Sequence, residues 1–96
     1  MIKTFRNQVS ADIAQGMRTK TTDQKLPPEL HRNALLKMAL INRAKTLIDL
    51  NAKGLRLEKL RGDRKGSYSI RINQQYRVCF EWRNDGVYNV EVVDYH

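Results

Sequence analysis

Two arginines placed either side of a short polar tripeptide are the first residues here that could do chemistry. Arg71 and Arg77 flank Asn73-Gln74-Gln75. Before that tripeptide Tyr68, Ile70 and Ile72 alternate with Ser69, Arg71 and Asn73; after it Tyr76, Val78, Phe80 and Trp82 alternate with Arg77, Cys79 and Glu81. A period of two marks half-buried strands, and a turn centred on Gln74 sets Arg71 nearly opposite Arg77. Like charges facing each other across a ladder are unfavourable. The pair makes sense when an anion such as a phosphate sits between or above it. Asn84-Asp85-Gly86 is a second turn signal, because Asp-Gly tolerates positive φ. Centred on Asp85, that turn brings Val93 beside Arg77, so that Asp94, Tyr95 and His96 follow at the same end of the sheet. Lys59, Arg61, Arg64 and Lys65 belong to the segment entering the sheet. The expected result is a basic concave face with an imidazole and a phenol at its edge.

Such a set suits RNA cleavage. RNA brings its own nucleophile, the 2′-hydroxyl; the enzyme must help deprotonate it, stabilise a pentavalent phosphorane and protonate the departing 5′-oxygen. Arginines stabilise the added negative charge, and His, Glu or Tyr can move the protons. The reaction requires no metal. The same pattern admits plainer readings. Arg71 and Arg77 could be solvated sheet residues, His96 a frayed terminus, Tyr95 an edge-packing residue and Glu58 a surface carboxylate. Tyr68, Tyr76, Phe80 and Trp82 read as sheet and core packing rather than base-stacking platforms. Cys79 reads as buried in a strand, and His31 as a surface residue.

Composition narrows the partners. The chain has 96 residues, enough for one domain spanning 1–96 and one modest core. Hydrophobic residues make up 41%, which argues against wholesale disorder. Lys plus Arg number 18 against 10 Asp plus Glu, a net charge of +8 that calls for an anionic partner. No apolar run approaches the ~20 residues that span a bilayer, so no membrane role is expected. Met1 to Arg6 has no apolar signal core, so export is not expected either. The lone Cys79 excludes internal disulfides and multi-thiolate zinc sites, and two histidines are too few for an easy metal cage. The expectation is a cytoplasmic protein with no metal site and no cofactor.

The elements that must position these residues read as follows. Ile2 to Phe5 suits a first strand. Ser10 is a candidate cap for a short helix through Ala11, Ile13, Ala14 and Met17, with Gly16 near its end. Arg18 to Lys25 reads as a polar loop. Pro27-Pro28 forces an extended entry, with Pro28 suited to a first helical turn. Leu30 to Leu50 then reads as one long helix, its stripe made by Leu30, Ala34, Met38, Ile41, Ala44 and Ile48 and widened by Leu36, Leu40 and Leu47. Asn51 to Gly54 supplies the stop. Leu55 and Leu57 start a short strand, residues 62–66 form a charged loop, and Tyr88, Val90 and Val92 mark the last strand. The sum is α+β: two N-terminal helices on one face of a twisted, mainly antiparallel sheet.

The residues of the sheet also carry a resemblance. Leu57-Glu58-Lys59-Leu60-Arg61-Gly62-Asp63-Arg64-Lys65-Gly66, Tyr68-Ser69-Ile70-Arg71-Ile72-Asn73, Tyr76-Arg77-Val78-Cys79-Phe80 and Val93-Asp94-Tyr95-His96 resemble the HigB toxins of the RelE/ParE superfamily, also called plasmid maintenance or proteic killer proteins. The likeness is close over the C-terminal half and looser over the N-terminal half. It implies a RelE-like microbial RNase fold and ribosome-dependent cleavage of messenger RNA, with growth arrest. It further implies neutralisation by a HigA-type helix-turn-helix antitoxin, which makes most contacts of the complex with operator DNA. By position, Arg77 matches the family's phosphate-stabilising arginine. Asp94, Tyr95 and His96 match its catalytic tail, and Arg61 stands where some members have a functional lysine. Glu58 stands where well-described members have a histidine, which leaves the general base open between Glu58 and His96. ParE relatives of the same fold inhibit DNA gyrase without cutting RNA, and that is the alternative; a simple RNA-binding module is a third reading.

Overall fold

The computed structural model describes residues 1–61 and 66–94. Its elements run α1 (Gln8–Ala14), α2 (Lys20–Lys25), α3 (His31–Arg43), β1 (Glu58–Lys59), β2 (Ser67–Arg71), β3 (Tyr76–Arg83) and β4 (Gly86–Asp94). The strands form an antiparallel meander in the order β1-β2-β3-β4. The expected first strand is reduced to two isolated bridges. Ile2 and Phe5 pair in parallel with Val87 and Val90 of β4, and Lys3 and Arg6 donate their backbone N–H to the carbonyls of Val87 and Val90 at 2.7 and 3.0 Å. The backbone of residues 1–6 thereby covers the outer edge of β4, an edge that would otherwise be open to pairing.

Capping chemistry explains most departures from the expected helices. The cap of α1 is Asn7, whose side chain accepts from Ser10 N at 3.0 Å. Ser10 is instead buried inside the helix, and its Oγ accepts the backbone N–H of Val92, tying α1 to β4. Part of the expected loop at 18–25 is the helix α2. Thr19 and Thr22 satisfy each other's backbone N–H groups through their side chains, at 3.1 and 2.9 Å, and Arg18 pairs with Asp23 at 2.9 Å. A reciprocal capping box of this kind outweighs the low helix propensity of threonine. Pro27 is extended (φ −50°, ψ 137°) and Pro28 opens a short 3-10 turn leading into α3.

The long helix ends at Arg43 rather than Leu50, because Ala44 is extended. Asp49 then accepts the backbone N–H of Lys45 and Thr46 at 2.9 and 3.0 Å, starting a separate 3-10 turn over Leu47–Leu50. This local bonding competes with continuation of the helix. Ala34, Met38 and Ile41 are buried as the stripe requires, and so is Ala44 just past the helix end. Ile48 is 81% exposed, and Leu36 and Leu40 are also partly open to solvent. His31 is buried, not on the surface: its Nε2 lies 2.7 Å from the Leu26 carbonyl oxygen. The expected strand start at Leu55 is a 3-10 turn, and the ladder begins only at Glu58.

The core lies between the helices and one face of the sheet. Ile13, Leu26, Met38, Ile41, Ile70, Val78, Phe80, Val87, Val90 and Val92 fill it, and Tyr68 stacks on Phe80 with ring centroids 6.3 Å apart. The aromatic residues therefore pack rather than bind. Alternation leaves the opposite face of the sheet polar, with Glu58, Ser69, Arg77, Cys79, Glu81 and Glu91 in registered positions. No helix among the described residues is long and apolar enough to cross a membrane.

Candidate active site on the polar sheet face

The two hairpins set the geometry. Asn73 closes the first, its Oδ1 accepting the backbone N–H of Gln75 and Tyr76 at 2.9 and 2.7 Å. Arg71 consequently pairs with Arg77, as expected. Their charges are kept apart by bending in different directions. Arg71 turns back to the hairpin and donates Nε–H to the Asn73 carbonyl at 3.1 Å. Arg77 leans the other way, across β2 toward β1. Its Nη1 donates to Ser69 Oγ at 2.6 Å and to the Arg56 carbonyl at 3.3 Å, and its Nη2 to Glu58 Oε1 at 3.3 Å. The Arg77 side chain is 10% exposed and that of Glu58 54%. A buried guanidinium thus meets a carboxylate that water can reach.

The last strand ends beside this pair. Arg77 faces Val93 and Tyr76 faces Asp94, as the second hairpin predicts. Gln75 Nε2 reaches both carboxylate oxygens of Asp94 at 3.2 Å. Arg71, Arg77 and Glu58 therefore share one face at this end of the sheet. Asp94 lies at the same end, but it pairs with Tyr76, which packs on the core, so alternation puts it on the helix side of β4. Lys59 does not join them. It pairs with Tyr68, whose ring packs toward the core, so strand alternation puts Lys59 on the helix side of β1. Arg61 is exposed just beyond β1. Arg64, Lys65, Tyr95 and His96 lie outside the described residues. Two contributors escaped the sequence reading: the hydroxyl of Ser69 and the carbonyl of Arg56. A serine pair, Ser67 and Ser69, on one side of a strand next to arginines is a usable signal in retrospect. Nothing in the sequence marks Arg56, a non-glycine residue at φ 52°.

A second polar network occupies the same face toward the β3–β4 turn. Glu81 accepts from the Asn89 side chain and from Arg83, and lies 3.9 Å from Arg6, which also bonds Glu91 at 3.1 Å. The Asn89 amide first, and Arg83 next, hold the Glu81 carboxyl below the usual carboxylate range. A folded-state value lowered in this way gives stability that is complete above the unfolded value of roughly 4.3, and is lost as pH falls through the folded one. Glu81→Gln should therefore lower Tm at pH 7, and the gap between wild type and variant should narrow as pH falls below the unfolded value; curves that stay parallel on acidification would contradict this. A groove of about 540 Å³ lies at the same end, between Asn42–Leu47 and the hairpin of Trp82–Val87. None of Arg71, Arg77, Glu58 or Asp94 lines it.

Comparison with known proteins identifies the family and the fold. A family model described as the RelE-like toxin of the type II toxin–antitoxin system HigB matches residues 5–96. Toxin HigB-1 of Vibrio cholerae is 43% identical over 65 residues, covering 66% of this chain and 67% of its own. Endoribonuclease HigB of Proteus vulgaris is 32% identical over 60 residues, covering 62% of this chain and 65% of its own. The YoeB–YefM complex from Staphylococcus aureus superposes with a TM-score of 0.62 at 16% identity, over 100% of this chain and 98% of the matched one. The YoeB dimer from Staphylococcus aureus gives 0.63 at 16% identity, over 99% and 97%. At that identity the solved structures share the fold alone, which is the helix-on-sheet α+β arrangement expected from the sequence. The chain belongs to the HigB-like family of RelE-like toxins of type II toxin–antitoxin systems.

Proposed function

We propose that this toxin is an endoribonuclease that cuts messenger RNA on the ribosome, with Arg77 at the scissile phosphate. The observation that carries the reading is the buried Arg77 guanidinium beside the accessible Glu58 carboxylate, at the sheet end where Asp94 emerges. Arg77, with Arg71, stabilises the charge that builds on the phosphorane. Glu58 or His96 takes the proton from the 2′-hydroxyl, the new P–O bond forms as the P–O5′ bond breaks, and a proton is returned to the leaving 5′-oxygen. Asp94 and Tyr95 orient these groups, and Arg61, Arg64, Lys65 and Lys59 hold RNA, Lys59 from the other side of β1. RNA supplies the nucleophile itself, so the reaction proceeds without a metal.

The name of the Proteus vulgaris relative, Endoribonuclease HigB, supports cutting. The gyrase-inhibitor alternative is not favoured, since the family and both relatives are HigB. A toxin of such a system has an antitoxin, here of the HigA helix-turn-helix type, through which the complex contacts operator DNA. The YoeB toxin has been solved together with YefM. The place of action is the cytoplasm, where ribosomes and message meet. The test is primer extension on a translated message with purified toxin. Breaks should require ribosomes, and His96→Ala should reduce them at least tenfold. Gyrase inhibition with intact message, or breaks unchanged on removing Asp94, Tyr95 and His96, would overturn the reading.

A further inference from the structure

Resting on that role for Arg77, we propose that Ser69, with the backbone carbonyl of Arg56, is a positioning residue that holds the Arg77 guanidinium in its working orientation. Ser69 is fully buried on β2, and its Oγ is only 2.6 Å from Arg77 Nη1, at the short end for an N–H···O bond. The same Nη1 reaches the Arg56 carbonyl. Arg56 takes the left-handed conformation that side chains other than glycine rarely adopt. Both groups are neutral acceptors. They fix one edge of the guanidinium without cancelling its charge.

The carboxylate partner behaves differently. Glu58 is more than half exposed and carries the opposite charge, so an incoming phosphate competes with it directly for Nη2. When that exchange occurs, Nη1 remains anchored to Ser69 and Arg56. A flexible arginine would otherwise reorganise during the reaction, and pre-set donors are what make transition-state stabilisation effective. Size matters as well. Ser69 pairs with Glu58 on one side and Cys79 on the other, and its small side chain leaves room for Arg77 to cross β2 toward β1.

The experiment measures ribosome-dependent cleavage by purified toxin carrying Ser69→Ala or Ser69→Cys, each with native Arg77 and with Arg77→Ala. Ser69→Cys fills the space that alanine leaves and puts a weak acceptor in place of the hydroxyl, so that a loss shared by both variants is not a cavity effect. With native Arg77, both variants should lower kcat about tenfold or more, the range for a hydrogen bond to a charged group, while KM changes less than about twofold. On the Arg77→Ala background the same substitutions should change nothing, since there is no guanidinium left to position. Wild-type rates for both variants, an equal loss on both backgrounds, or a loss that tracks a fall in the folded fraction by thermal melting would each overturn the proposal. If Arg77→Ala itself cuts like wild type, the failure lies in the role given to Arg77 instead.

Discussion

Arg77→Ala should cost about 10²–10³-fold in kcat on ribosome-bound message, the loss typical when one preorganised donor at a developing oxyanion is removed. The fold should survive. Among the described residues, the partners left behind include an exposed carboxylate, Glu58, and two neutral acceptors, Ser69 and Arg56. Their loss of one donor is a smaller matter than an orphaned buried charge. Arg77→Lys discriminates further. Lysine keeps the charge but not the planar fork, so it cannot bond Ser69 and Glu58 through separate nitrogens in the same geometry. It should recover part of KM and little of kcat. Equal kcat for wild type and Arg77→Ala, with both proteins folded, would remove Arg77 from the active site.

Phe80→Ala should produce the largest loss of stability. Phe80 is 1% exposed, stacks with Tyr68 and points into the core shared with Val78 and Val92. Truncating a buried phenylalanine costs about 3–5 kcal/mol, from lost apolar burial and the cavity left behind. Set against a typical total of about 5–15 kcal/mol, that is a fifth or more of the stability of a small domain. Urea denaturation should show the midpoint falling sharply. Ile48→Ala, at a side chain 81% exposed, should change the unfolding free energy by less than about 0.5 kcal/mol. A small shift for Phe80→Ala would mean that the core is not organised around β3. Because β3 also carries Arg77 on its opposite face, the same variant should lose cleavage in proportion to unfolded protein, with the kcat of the folded fraction little changed.

The pairing of Arg71 with Arg77 and the convergence of the last strand on Arg77 were readable from turn chemistry and two-residue alternation. One part was right for a compensating reason. The second hairpin pairs Arg83 with Gly86, so its turn is centred between Asn84 and Asp85, and strict continuation would set Arg77 against Val92. A bulge between Cys79 and Glu81, with Asn89 at φ 54° nearby, adds one residue and restores Val93 as the partner. The helices were legible where apolar spacing dominates, as at Ala34, Met38 and Ile41, and illegible where capping decides, as at Thr19, Thr22 and Asp49. The site was half legible. Charged residues near turns draw notice, whereas the groups that aim Arg77 are a small hydroxyl and a main-chain carbonyl, and composition does not reveal either. Glu58 entered through family resemblance, because its closeness to Arg77 depends on β1 pairing that two residues of alternation cannot predict.

The contact of residues 2–6 with β4 has a bearing on how the chain comes to life. Lys3 meets Val87 and Arg6 meets Val90, separations of more than eighty positions in a chain of 96. Contacts of such long range form late and slowly, since the loop between them must first be closed. Residues 2–6 stay unpaired until β4 is formed to receive them. Arg77 likewise acquires its neighbour Val93 only with that strand. The covering of the β4 edge and the neighbourhood of Arg77 are therefore completed in one late step of folding.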